Sequence, residues 1–101
     1  MKSNHNLDEL RVSLDSLDAA MIYLLAERFR LTHKVGEYKR DNELPPVDLS
    51  REQKQFQRIE ELAGAAGLDP DIAKRYLRMI IDEVVKEHTR LQKDAKRADQ
   101  S

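Results

Sequence analysis

The sequence predicts an all-α fold, and three observations carry that prediction. Apolar residues recur at steps of three and four over three long segments, a spacing that draws one stripe along each helix. The three prolines fall at only two places, Pro45-Pro46 and Pro70, where they separate those segments. The composition is 37% charged, 40% hydrophobic and 5% aromatic, which suits solvated amphipathic helices better than a sheet or a disordered chain.

The first segment opens after a polar stretch, Met1 to Asn6, expected to fray. From Leu7 its stripe runs through Leu10, Leu14, Leu17, Met21, Leu24, Leu31, Val35 and Tyr38, with Arg28 in the slot between Leu24 and Leu31. A helix from about residue 7 to about residue 41 is roughly 50 Å long, too long for a compact monomer of this size. Asp41, Asn42 and Pro45-Pro46 end it, and residues 42 to 48 form a loop. Asp48 and Ser50 both qualify as N-cap of a second helix, Ser50 with Gln53 at capping-box spacing. Phe56, Ile59, Leu62, Ala63 and Ala66 mark its buried face, and Gly67 stops it. Asp69-Pro70 starts a third helix as N-cap and first helical residue. Leu77, Ile80, Ile81, Val84, Val85 and Leu91 form its buried side, and from about Lys93 to Ser101 it is expected to fray.

One domain over residues 1–101 is expected, with a core too small to bury much of its surface. Three helices of which one is long are best satisfied by two protomers pairing long helices antiparallel, as an intertwined homodimer. The formal net charge of −1 offers no general attraction for nucleic acid or an anionic membrane. Without cysteine there is no disulfide or thiolate chemistry. No apolar run is long enough for a signal peptide or a membrane span, so the cytoplasm is the expected compartment.

Charges on apolar faces need partners. At 100° per residue, Arg28 and Lys39 project within about 20° of each other and about 16 Å apart along the axis, a span two long side chains can close on one small ligand. Arg11, at the edge of the same stripe, lies about 25 Å from Arg28 and cannot share a site with it on one helix. Antiparallel pairing with a dyad near Met21 brings a second copy's Arg11 opposite the segment between Arg28 and Lys39, which predicts two equivalent sites built from both chains. On the third helix, His88 occupies a slot of the seam formed by Leu77, Ile81, Val84 and Leu91. Arg51 and Glu52 open the second helix, where backbone N–H groups and side chains together bind polar ligands. Several cations, one carboxylate and one imidazole suit a small dianion. The plainer alternatives are pairing of Arg28 and Lys39 with Asp18, Glu27 or Glu83, a solvated Arg11, a hydrogen-bonded core His88, and ordinary first-turn charges at Arg51 and Glu52.

Three segments in order carry a family resemblance: LRVSLDSLDAAMIYLLAERFRLTHKVGEYK at Leu10 to Lys39, PPVDLSRE at Pro45 to Glu52, and MIIDEVVKEH at Met79 to His88. Together they resemble the all-α chorismate mutase family over about residues 7 to 91, without a gap in any helix. The resemblance implies an intertwined helical dimer that converts chorismate to prephenate on the way to phenylalanine and tyrosine, without metal or cofactor. It implies that Arg28, with Arg11 from the partner chain, holds the substrate carboxylates, and that Lys39 binds the ether oxygen and a carboxylate. Glu52 and the backbone near Asp48 would bind the ring hydroxyl, with Arg51 in support. Such a reaction is an intramolecular Claisen rearrangement, so the site must hold a compact diaxial conformer and stabilise charge on the ether oxygen. Removing one such donor commonly costs about 3 to 4 kcal/mol.

Two positions depart from the common pattern. His88 stands where many members carry a glutamine that donates to the ether oxygen, and imidazole retains a donor. Val84 stands where a serine often meets a substrate carboxylate, and it cannot hydrogen-bond. The alternatives are isochorismate pyruvate lyase, 4-amino-4-deoxychorismate mutase with Glu52 on the amine, and a non-catalytic helical dimerisation module. A chain of this length is expected to be monofunctional.

Overall fold

The computed structural model describes residues 6–100, which form three α-helices in the order α1 (Leu7–Asp41), α2 (Leu49–Ala66) and α3 (Pro70–Gln100). The all-α prediction is met, with no strand among the described residues. Of the Met1 to Asn6 stretch expected to fray, residues 1 to 5 lie outside the described residues, as does Ser101, whereas Asn6 is ordered as a helix cap. Contacts divide the chain into two units after Leu31.

The first unit is the N-terminal part of α1. Asn6 caps it: its Oδ1 accepts from the backbone N–H groups of Asp8 at 2.8 Å and Glu9 at 3.3 Å. Those two carboxylates sit in the first turn, where the helix dipole favours negative charge. The large apolar residues of this part of the stripe remain 44% to 70% exposed, from Leu10 to Leu24.

The second unit contains the end of α1, all of α2 and all of α3. Its core is Ala63 of α2 with Ala73, Leu77, Ile80 and Ile81 of α3. Phe56, Ile59, Val84, Val85 and Leu91 are half-buried, whereas Leu62 and Ala66, predicted to face inward, are exposed. Ion pairs of Glu60 with Lys74 and of Glu52 with Arg78 step backward along α2 as they advance along α3, so the two helices form an antiparallel hairpin. The hydrogen bond to Glu60 raises the Lys74 pKa above its ordinary value.

Local chemistry explains the boundaries. Asp48 is the N-cap of α2, with extended backbone and Oδ1 accepting from the Arg51 N–H at 3.0 Å, so the choice between Asp48 and Ser50 falls to Asp48. Gly67 closes α2 in the left-handed region (φ 73°), with the Leu68 N–H donating to the Ala63 carbonyl at 2.9 Å. Asp69 caps α3 through the Asp71 N–H at 2.9 Å, and Pro70 is its first residue. At the end of α1 the turn uses Glu43 at φ 55°, where no glycine signals it.

The predicted fraying from Lys93 is not what the structure shows, since α3 stays helical to Gln100. Residues 93 to 100 contain no Gly or Pro, and the preceding Gln92 Nε2 donates to the Leu44 carbonyl at 2.6 Å.

Candidate functional site

The second unit holds six of the eight residues singled out by sequence. Lys39 lies in the last turn of α1, half-buried, and its Nζ donates to the Pro46 carbonyl at 3.3 Å. That bond ties the ammonium to the segment just before Asp48. Asp48, Arg51 and Glu52 then follow as N-cap and first turn of α2. Asp48 and Arg51 are exposed, whereas the Glu52 side chain is 16% exposed.

Glu52 is engaged by a residue that sequence reasoning missed. Arg78 of α3 donates from Nη1 to Glu52 Oε1 at 3.2 Å, and its guanidinium carbon lies 4.7 Å from the centre of the Phe56 ring. Asp82 Oδ1 stands 3.6 Å from the same Nη1. In the sequence Arg78 reads as solvated surface, four residues before an acid. The signal that could have found it is its place beside Leu77, on a helix that must pack against the aromatic of α2.

Val84 and His88 lie one turn apart on α3, Val84 half-buried and His88 only 1% exposed. The His88 Nε2 is 2.8 Å from the Thr32 carbonyl oxygen; a carbonyl only accepts, so Nε2 carries the hydrogen. The opposite ring atom, Nδ1, is buried and makes no hydrogen bond. His88 packs directly on Gly36, where a β-carbon would stand 2.5 Å from His88 Cδ2 and 2.9 Å from Leu91 Cδ1. Only glycine permits so close an approach.

A further set of contacts joins the same two helices. His33 meets Glu87 Oε1 at 3.0 Å through Nδ1 and Glu37 Oε1 at 3.4 Å through Nε2. The contacts of His33 with Glu87, Gly36 with Leu91 and Leu44 with Gln92 advance in the same direction along both segments.

Arg11 and Arg28 belong to the first unit, Arg11 exposed and Arg28 half-buried. A cleft of about 410 Å³ in the second unit contains none of the eight candidates; it lies between the loop at Glu43 to Pro45 and the end of α3 at Gln92 to Asp99. Among the described residues no cluster of three or more His, Asp or Glu side chains could hold a metal ion, and no helix is long and apolar enough to cross a membrane.

The family model described as chorismate mutase type II matches residues 10–89. The chain belongs to the chorismate mutase type II family. The match contains all eight candidates, from Arg11 to His88, and stops short of the last turns of α3.

Among its relatives, a 4-amino-4-deoxychorismate mutase of Streptomyces pristinaespiralis is 31% identical over 86 residues, 85% of this chain and 64% of that protein. A T-protein of Enterobacter agglomerans is 36% identical over 77 residues, 76% of this chain and 21% of the relative. The bifunctional chorismate mutase/prephenate dehydratase of Escherichia coli K12 is 34% identical over 85 residues, 84% of this chain and 22% of the relative. This chorismate mutase type II chain thus spans under two thirds of the first relative and about a fifth of the other two.

Proposed function

We propose that the chain catalyses the rearrangement of chorismate to prephenate as a homodimer with two shared sites. The observation that carries this reading is the family match over residues 10–89, which includes every candidate residue. The rearrangement breaks the ether C–O bond while a C–C bond forms across the ring, and no proton moves in that step. The task of the site is therefore to clamp a conformer and to meet developing charge.

Arg28, with Arg11 from a second copy, holds the two carboxylates in this reading, since guanidinium forks match carboxylates in fixed geometry. Lys39 is the main donor to the ether oxygen. Its ammonium has three hydrogens, and the bond to the Pro46 carbonyl uses one, which leaves two for a ligand. His88 is the second donor, its Nε2–H turning from the Thr32 carbonyl to the ether oxygen. Val84 offers no hydrogen bond, so the arginines carry the carboxylate contacts. Glu52 accepts from the ring hydroxyl beside the α2 N-terminus, with Asp48 and Arg51 shaping that end. The exposed apolar stripe of α1 supports the dimer, because patches of this kind mark surfaces that bind partners.

A second reading, 4-amino-4-deoxychorismate as substrate, is favoured by the relative of that name. The test is to mix purified protein with either compound, follow the ultraviolet absorbance, and identify products by chromatography. Prephenate from chorismate is expected, with kcat/KM reduced by about 10² to 10³ in Arg28→Ala. Absence of turnover on both compounds would overturn the enzymatic reading.

A further inference from the structure

The proposed reading leaves open how the site tells a ring hydroxyl from a ring amine, and on that reading the geometry around Glu52 bears directly on the choice. The two substrates differ at one ring position. A hydroxyl is neutral and needs only an acceptor lone pair. An amine is cationic near neutral pH and is bound best by an acceptor with uncompensated negative charge.

Glu52 is not such an acceptor. Its Oε1 receives the Arg78 Nη1–H at 3.2 Å, which places a guanidinium, shared in part with Asp82, against the carboxylate. The bond leaves Oε2 for a second donor. The same Nη1 lies 3.6 Å from Asp82 Oδ1, and the guanidinium stands over the face of the Phe56 ring at 4.7 Å. Glu52 lies in the first turn of α2, where the helix dipole adds further positive potential.

We infer that Arg78 is a specificity-determining residue: by pairing with Glu52 it keeps the ring-substituent acceptor charge-compensated, so that the site takes a hydroxyl and disfavours an ammonium. Arg78 touches neither reacting atom. It acts through Glu52, as a positioning residue whose charge sets what Glu52 accepts. Its side chain is 52% exposed, so water screens part of the effect. Removal of the charge is therefore expected to move substrate preference by about tenfold rather than by the larger factors of a dry site.

The experiment measures kcat and KM of the full chain for chorismate and for 4-amino-4-deoxychorismate, in the wild type, Arg78→Gln and Arg78→Lys. Circular dichroism checks that each variant is folded. In Arg78→Gln the ratio of kcat/KM for the amine to that for the hydroxyl should rise about tenfold, chiefly through a lower KM for the amine. In Arg78→Lys, which retains the charge, the ratio should stay within about twofold of wild type. An unchanged ratio in Arg78→Gln overturns the assignment of Arg78 while leaving the mutase reading intact. So does an equal rise in both variants, because charge would then not be the cause. A wild type that turns over neither compound overturns the mutase reading, and this inference with it.

Discussion

Gly36 and His88 show how one missing β-carbon arranges a buried polar side chain. The imidazole turns its Cδ2–Nε2 edge toward Gly36, close enough to the α1 backbone to donate to the Thr32 carbonyl, because position 36 has no side chain. Gly36→Ala would force a contact of 2.5 Å, and urea unfolding should show a loss of about 1 to 3 kcal/mol. Restoring space with the double variant Gly36→Ala/His88→Ala should recover part of that loss. His88 itself separates two roles. If it donates to the ether oxygen, His88→Gln should keep activity within about tenfold, and His88→Leu should lose about 10² to 10³ in kcat. Equal activity in the glutamine and leucine variants would mark His88 as packing alone.

At the scale of elements, helix ends are decided by single residues with clear chemistry. The left-handed Gly67 lets α2 stop and α3 begin within three residues, and Gly67→Ala should cost about 1 to 2 kcal/mol of stability by thermal or urea unfolding. Open space around position 67 excludes a steric clash, so the loss would report backbone conformation alone. The end of α1 reaches the same region with Glu43, a residue poorly suited to it. The length of α3 depends on strong helix formers and on Gln92 tied to the Leu44 carbonyl. Gln92→Ala should increase amide hydrogen exchange in residues 93 to 100 without changing exchange at Leu77 to Ile81.

At the scale of the whole molecule, the proposed dimer makes a prediction that no single-chain enzyme can satisfy. With one site built from Arg28 of one copy and Arg11 of the other, Arg11→Ala and Arg28→Ala should each be nearly inactive alone. Refolded together in equal amounts, they should regain roughly a quarter of wild-type activity, since half of the dimers are mixed and each carries one intact site. No recovery on mixing would overturn the shared site. Leu17→Glu, on the exposed stripe, should shift the protein to a lower mass in sedimentation and remove activity with it.

Periodicity, breakers and caps are local properties, which is why three helices, the loop at residues 42 to 48, the stop at Gly67 and the start at Pro70 were legible in the sequence. Family membership was legible too, because Leu10 to Lys39, Pro45 to Glu52 and Met79 to His88 preserve an ordered pattern that survives low identity. Contacts between distant residues left no such trace. Arg78 sits 26 residues from Glu52, and its place beside Leu77 hints only at packing against α2, not at which charge it meets there. The direction of the His88 ring depends on Thr32, 56 residues away, and on space that Gly36 leaves. Leu62 follows the helical stripe and is still exposed in this chain, because a stripe states which face is apolar and not what covers it. The sequence alone determined helices, their ends and the family, through forces that act within a few turns. Only the tertiary structure decided which charges pair and which polar atom stays unsatisfied, since those follow from how helices pack side by side.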